Sequence, residues 1–205
     1  MDTLLDYIST GGLFMYPILI GALWALTLLV ERVIYYLQTA SLLTRQRKRF
    51  FTVLGTEGHE KARLYLEGQK GILKNALAAG LGARTQPADR IEEKMETVLL
   101  RDLPSCGKYL NLLATLGTMM PMLGLLGTVT GMIATFKVIA LHGTGDAQAM
   151  ADGISEALIT TQAGLVAALP IVLGHTLLSN RLKKITDTVR ESCALLLDYL
   201  KETHA

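Results

Sequence analysis

The sequence predicts an all-α membrane protein: three transmembrane helices with helical extensions on their cytoplasmic side. The first observation is the length of three uncharged stretches. Residues Tyr7–Val30 (24 positions), Tyr109–Phe136 (28 positions) and Ala157–Asn180 (24 positions) contain no Asp, Glu, Lys or Arg. A helix rises about 1.5 Å per residue, so about 20 apolar residues cross the hydrocarbon core of a bilayer. The second observation is composition: 50% of the 205 residues are hydrophobic, only 19% are charged, and the mean hydropathy is +0.36. The third is where the 20 Lys and Arg fall. Thirteen lie between Arg45 and Lys108 and five between Arg181 and Lys201, leaving Arg32 and Lys137. Basic residues stay on the cytoplasmic side. The segments 38–108 and 181–205 are therefore expected inside, and the N-terminus, with Asp2 and Asp6 and no nearby cation, outside.

Each element follows in order. Residues 1–12 are a short external N-terminus. They lack the basic n-region of a cleaved signal peptide, and the apolar run is too long for an h-region. The first span is expected at 13–37, with Pro17 in its opening turns, where a missing N–H does least harm. Trp24 lies mid-span and packs against protein or lipid tails; Tyr35 and Tyr36 suit the inner interface, and Glu31 and Arg32 can snorkel there. The cluster Arg45, Arg47, Lys48, Arg49 reads as a juxtamembrane anchor to anionic lipid rather than a nucleic-acid site.

Residues 38–108 form a cytoplasmic loop of helical character. Lys61–Glu67 and Ile72–Leu77 are short amphipathic pieces, and Arg90–Leu100 is a longer one with Ile91, Met95 and Val98 on one stripe. Gly80, Gly82 and Pro87 mark a break between them. The second span is expected at 109–138, an external loop at 139–151 around the turn-like Leu141–Asp146, and the third span at 152–180. Residues 181–205 continue as an amphipathic helix with Ile185, Val189, Leu196 and Leu200 as its apolar positions.

Two patterns occupy the second and third spans. Gly117, Gly124 and Gly131 recur every seven residues, Gly127 and Gly131 form a GxxxG pair, and Gly164 lies in the third span. Small residues at this spacing let helices approach closely in lipid. Hydroxyls form the other pattern. Thr128 and Thr135 stand seven apart in register with Pro121, and Thr160 and Thr161 open the third span, with Thr161, Ala168 and His175 on one face. A single membrane Thr usually bonds its own helix and signifies nothing more. Several on one face fit either a packing seam or the lining of a narrow polar path. Ionisable groups near the membrane are few: Glu31, Arg32, Lys137, Glu156 and His175. Such groups are functional candidates because they are costly to keep there. Lys137 and Glu156 are placed to pair at the external ends, and His175 suits a structural hydrogen bond. No carboxylate sits at the centre of any span, so a proton path here needs an acid from another subunit.

Soluble chemistry is absent from the pattern. There is no phosphate-binding GxxxxGK[ST], no HExxH and no GxSxG, and Cys106 and Cys193 belong to no metal-ligand spacing. The reading is a non-enzyme without cofactor or metal.

Two stretches carry a resemblance. Met122–Phe136, reading MLGLLGTVTGMIATF, and Gly153–Pro170, reading GISEALITTQAGLVAALP, resemble the MotA/TolQ/ExbB proton-channel family, nearest its ExbB branch; Gly12–Pro17 and the Glu31-Arg32 pair fit that family's first span. The resemblance covers all three spans, whereas residues 40–105 match only in length and helical character. It implies a pentamer in the bacterial inner membrane, closed around the single helices of an ExbD-like partner that carries the titrating Asp. It further implies that proton-motive force energises a TonB-like protein for transport across the outer membrane. By motif position Thr128 and Thr161 match the family's pore-facing threonines and Glu156 its third-span Glu. Thr135, Thr160, Gln162 and His175 join them as candidate path residues. Gln162, where the family commonly has Ala, and Lys137 depart from the pattern. A TolQ-type subunit of the envelope-maintaining Tol-Pal system fits the same residues, and a non-conducting membrane scaffold fits the glycine seam alone.

Overall fold

In a computed structural model of the chain, residues 10–142 and 147–204 are described. The turn-like stretch around 143–146 and the acidic positions Asp2 and Asp6 lie outside the described residues. Among the described residues the chain is all-helical, with five helices: α1 Met15–Glu67, α2 Ile72–Gly82, α3 Ala88–Cys106, α4 Leu110–His142 and α5 Ala147–His204. Three of them, α1, α4 and α5, are long and apolar enough to cross a membrane. The chain divides into two compact units, one of residues 1–32 and 109–177, the other of residues 33–108 and 178–205.

The first unit packs the start of α1, all of α4 and the first part of α5. Its inward positions recur at three and four residues: Met15, Ile18, Ala25 and Leu28 on α1, Leu110, Leu113, Leu116 and Met120 on α4, and Ala157, Ala168 and Ile171 on α5. That period keeps one stripe of each helix facing the others. The outward stripes remain apolar, with Leu23, Trp24, Leu126, Phe136, Leu169 and Leu173 all exposed. A helix apolar on every side suits lipid rather than water. Pro121 and Pro170 lie inside α4 and α5 without ending them. Arg32 does not snorkel. Its side chain is 6% exposed, lies 3.5 Å from the Glu31 carboxylate and stacks 4.8 Å from the centre of the Tyr109 ring. A guanidinium over an aromatic face is attracted by the ring quadrupole, and Tyr109 reaches this position in the left-handed region, at φ 68°.

The second unit is a separate helical core. Phe50, Leu54, Ala62 and Leu66 of α1, the stripe Ile72, Leu73, Ala76, Leu77 and Leu81 of α2, and Ile185, Val189, Leu196 and Leu200 of α5 are buried in it. On α3 the inward stripe is Ile91, Met95 and Leu99; Leu99 takes the place expected for Val98, because i, i+4, i+8 tracks the helix face better than a step of three. α1 bends at Gly58, whose φ of 81° and ψ of −178° are open to glycine and strained for other residues. Tyr36 is buried, and its hydroxyl donates to the Cys106 carbonyl at 2.8 Å.

Candidate functional site

The site is built by close approach of α4 and α5. A Cβ added to Gly117 would stand 2.9 Å from Val172 Cγ2, one on Gly124 3.0 Å from the Thr161 Cα, and one on Gly131 2.9 Å from the Ala157 Cβ. Gly127 faces the Thr160 side chain, and a Cβ on Gly164 would stand 2.6 Å from the Met120 carbonyl oxygen. These five glycines thus lie where backbone meets the neighbouring helix. Spacing did not single out Gly153, against Thr135, Gly21, against Met120 of α4, or Gly174, against Leu29 of α1. Each is isolated in sequence; Gly153 belongs to the same α4–α5 approach, and Gly21 and Gly174 mark where α1 meets α4 and α5.

The close approach lets one hydroxyl cross between helices. Thr161 Oγ1 donates to the Gly124 carbonyl at 2.9 Å. A carbonyl has two lone pairs, so it can serve its own helix and Thr161 together. Thr128, one turn along α4 from Gly124, donates to the Leu125 carbonyl at 2.7 Å. Both threonines are half-buried in this single chain. The hydroxyl protons are committed to backbone carbonyls, and the remaining lone pairs can accept.

Thr160 and Thr135 are buried, at 1% and 3% exposure. Thr135 Oγ1 donates to the Gly131 carbonyl at 3.0 Å. Thr160 Oγ1 lies 2.7 Å from the Glu156 carbonyl of its own turn and 2.9 Å from the carbonyl of Gly11. That second contact ties the residues before α1 to α5. Beside it the Glu156 carboxyl rests on Gly12, which turns the chain at φ 65° and leaves no room for a Cβ. Glu156 and Lys137 form no ion pair among the described residues; Lys137 is exposed on α4, while Glu156 turns to the α1 elbow. Gln162 is exposed on another face of α5. His175 stands fourteen residues beyond Thr161, about 21 Å along the helix. The structure therefore joins Thr161 of α5 to Gly124 of α4, and Thr160 and Glu156 to Gly11 and Gly12, while Thr128 bonds within its own helix. Among the described residues no cluster of His, Cys, Asp and Glu is placed to hold a metal.

A glycine seam bearing hydroxyls, inside a unit of membrane-length helices, defines the class to which comparison with known proteins assigns the chain. Residues 67–191 match the MotA/TolQ/ExbB proton channel family, and the chain belongs to that family. It is 34% identical over 172 residues to a putative biopolymer transport protein, ExbB-like 1, of Synechocystis, covering 81% of this chain and 66% of that protein. A putative ExbB homologue of Methanothermobacter thermautotrophicus is 28% identical over 192 residues, covering 91% of this chain and 67% of that protein. The Tol-Pal system protein TolQ of Pseudomonas aeruginosa is 36% identical over 117 residues, covering 57% of this chain and 46% of that protein. The chain thus spans about two thirds of the length of the first two relatives and under half of the third.

Proposed function

We propose that the chain is an ExbB-type subunit of a proton-driven motor of the bacterial inner membrane. In this reading copies of it, five by family resemblance, surround the membrane helix of an ExbD-like partner whose Asp carries the proton, and the work done energises a TonB-like protein. The N-terminus lies outside; the second unit and the C-terminus lie in the cytoplasm, where the basic residues belong. The observation that carries the reading is the Thr161–Gly124 bond, with Thr128 one turn further along α4, within the charge-free stretches of the second and third spans.

The hydroxyls set the chemistry. With their protons held by the Gly124 and Leu125 carbonyls, Thr161 and Thr128 offer acceptors only. An acceptor favours a group with a proton to donate, which is a neutral carboxylic acid or a hydrated proton and not a carboxylate. The site therefore stabilises the partner's acid in its protonated form while it faces the membrane interior. Release toward the cytoplasm completes one step, and one charge falling through the membrane potential supplies about 2.3 kcal/mol per 100 mV.

Thr161→Val removes the acceptor and keeps the shape. Expected is loss of uncoupler-sensitive, TonB-dependent uptake in cells that rely on this subunit, with assembly intact and with activity restored by Thr161→Ser. Uptake unchanged in the valine variant would overturn the reading. The identity to TolQ supports a second version, in which the same site drives a Tol-type partner instead. Co-purification separates them by the single-span protein recovered.

A further inference from the structure

Between α3 and α5 the second unit holds an open groove of about 360 Å³. Its floor is apolar: Met95, Leu99 and Leu197, buried side chains of the two helices, meet there. Its rim is acidic: Glu92, Glu96 and Asp198 are exposed along it, against the single cation Arg190. None of these three carboxylates forms an ion pair among the described residues, whereas Glu57, Glu60, Glu93, Asp102 and Glu191 of the same unit are each held by a Lys or Arg. The rim therefore keeps its negative charge for something outside the subunit, and the floor offers it apolar area. Met95 suits that floor, because an unbranched thioether repacks around varied side chains.

We infer that this groove takes the cytoplasmic flank of a single-span membrane partner, a short peptide in which Lys or Arg side chains accompany apolar ones. A single-span protein keeps Lys and Arg on its cytoplasmic side, concentrated within about 15–20 residues of the span. Whichever of its ends lies inside, that flank is basic, the sign the rim calls for. Its apolar side chains cover the floor, and complementary charge selects it over other peptides. The reach fits as well. Arg190 and Asp198 stand 10 and 18 residues past Asn180, where the third charge-free stretch ends, which is about 15–27 Å along α5. An extended peptide gains about 3.3 Å per residue, so about eight residues cover that distance. Anionic lipid headgroups are repelled by the same three carboxylates. The inference rests on the reading above only for the presence of a single-span partner, and it does not use the threonine site.

Fluorescence anisotropy with the full chain in detergent tests the groove first. The probe is a labelled synthetic peptide repeating Leu-Lys-Lys-Leu, set beside a copy with Glu in place of Lys. Saturable binding of the Lys peptide alone is expected, weakened about tenfold or more by Glu92→Lys combined with Glu96→Lys. Glu57→Lys, a charge change on α1 outside the groove, should shift it by less than about twofold. An equal loss from Glu57→Lys, or binding of the Glu peptide, overturns the inference. Disulfide trapping in membranes then identifies the occupant. In a chain carrying Cys193→Ala and Glu96→Cys, a cysteine placed in the basic flank of the single-span protein that co-purifies should bond to the groove under mild oxidant. Replacing the Lys and Arg of that flank with Gln should abolish the bond. A covalent dimer of this chain with itself would put a second copy in the groove and sink the inference, as would a flank that never bonds. If no single-span protein co-purifies, the proposed function fails and takes the occupant with it. Uptake unchanged in Thr161→Val while the flank still bonds would count against the proposed function alone; uptake lost in Thr161→Val with no bond to the flank would count against the groove alone.

Discussion

At the level of single residues, glycine and threonine do the positioning that charged groups do in soluble sites. The contrast between Gly164 and Gly82 shows why. A methyl group on Gly164 would stand 2.6 Å from the Met120 carbonyl oxygen and 3.1 Å from the Gly124 Cα, both backbone atoms that cannot rotate away. Gly82, at the end of α2, has open space around it. Gly164→Ala should therefore part the helices and cost about 1–3 kcal/mol, while Gly82→Ala should be neutral or stabilising by up to about 1 kcal/mol through helix propensity. Thermal unfolding of the two variants in detergent checks the pair; equal midpoints would contradict the seam. Thr161 rests on the same close approach, because its hydroxyl reaches the Gly124 carbonyl only where no side chain separates the two helices. Burial fixes the other extreme of reactivity: it pushes the Cys193 thiol up to about 11, so this cysteine is held as an inert thiol at neutral pH.

Among elements, the α2–α3 pair has its own electrostatic clasp. Asp102 of α3 accepts from Arg101 Nε at 2.9 Å and from Asn75 Nδ2 of α2 at 2.6 Å. The Arg101 hydrogen bond, and then the Asn75 one, hold the Asp102 carboxyl below its ordinary value of 3.8. A carboxyl whose folded-state pKa is depressed adds stability that is complete above the unfolded pKa and lost as the pH falls through the folded one. The wild-type chain should lose this contribution below about pH 4, and Asp102→Asn should lose it at every pH. The unfolding midpoint of wild type minus variant, followed from pH 7 to pH 3, should shrink toward the acid end; a constant difference would mean the ion pair is not its source. The extent of the elements was only partly legible. Charge-free runs show where α1, α4 and α5 are apolar, but α1 continues far into the polar stretch because no proline interrupts it between Pro17 and Gly58, where non-helical backbone angles divide it into two helical segments. The heptad of glycines places Gly117, Gly124 and Gly131 on one face, yet spacing cannot say which helix that face meets. The same limit hid Gly21 and Gly174, whose neighbours lie on helices distant in sequence. Arg32 was expected to snorkel at the inner interface because nothing in a sequence shows the Tyr109 ring folding over it.

For the whole molecule, the decisive property is an absence in the sequence: no Asp or Glu lies within Tyr7–Val30, Tyr109–Phe136 or Ala157–Asn180. The hydroxyls of Thr128, Thr135, Thr160 and Thr161 all donate to backbone carbonyls. A hydroxyl with a pKa far from neutral cannot take up and release a proton on its own during transport, and an apolar core of about 30 Å is too thick to cross without a titrating group or a water file. The subunit by itself should therefore hold a proton gradient. Vesicles containing the chain alone, with an imposed potential of about 100 mV supplying roughly 2.3 kcal/mol per proton, should acidify no faster than protein-free vesicles, as read by a trapped pH dye. Adding a single-span partner that brings an Asp into the bilayer should open the path, and replacing that Asp with Asn should close it again. Thr161→Val should lower the partner-dependent flux and leave the basal leak where it was. Rapid proton entry with this chain alone would place the carrier within its own three spans, and the glycine-and-threonine seam would then need its own titrating group, with Glu156 at the α1 elbow the first to test.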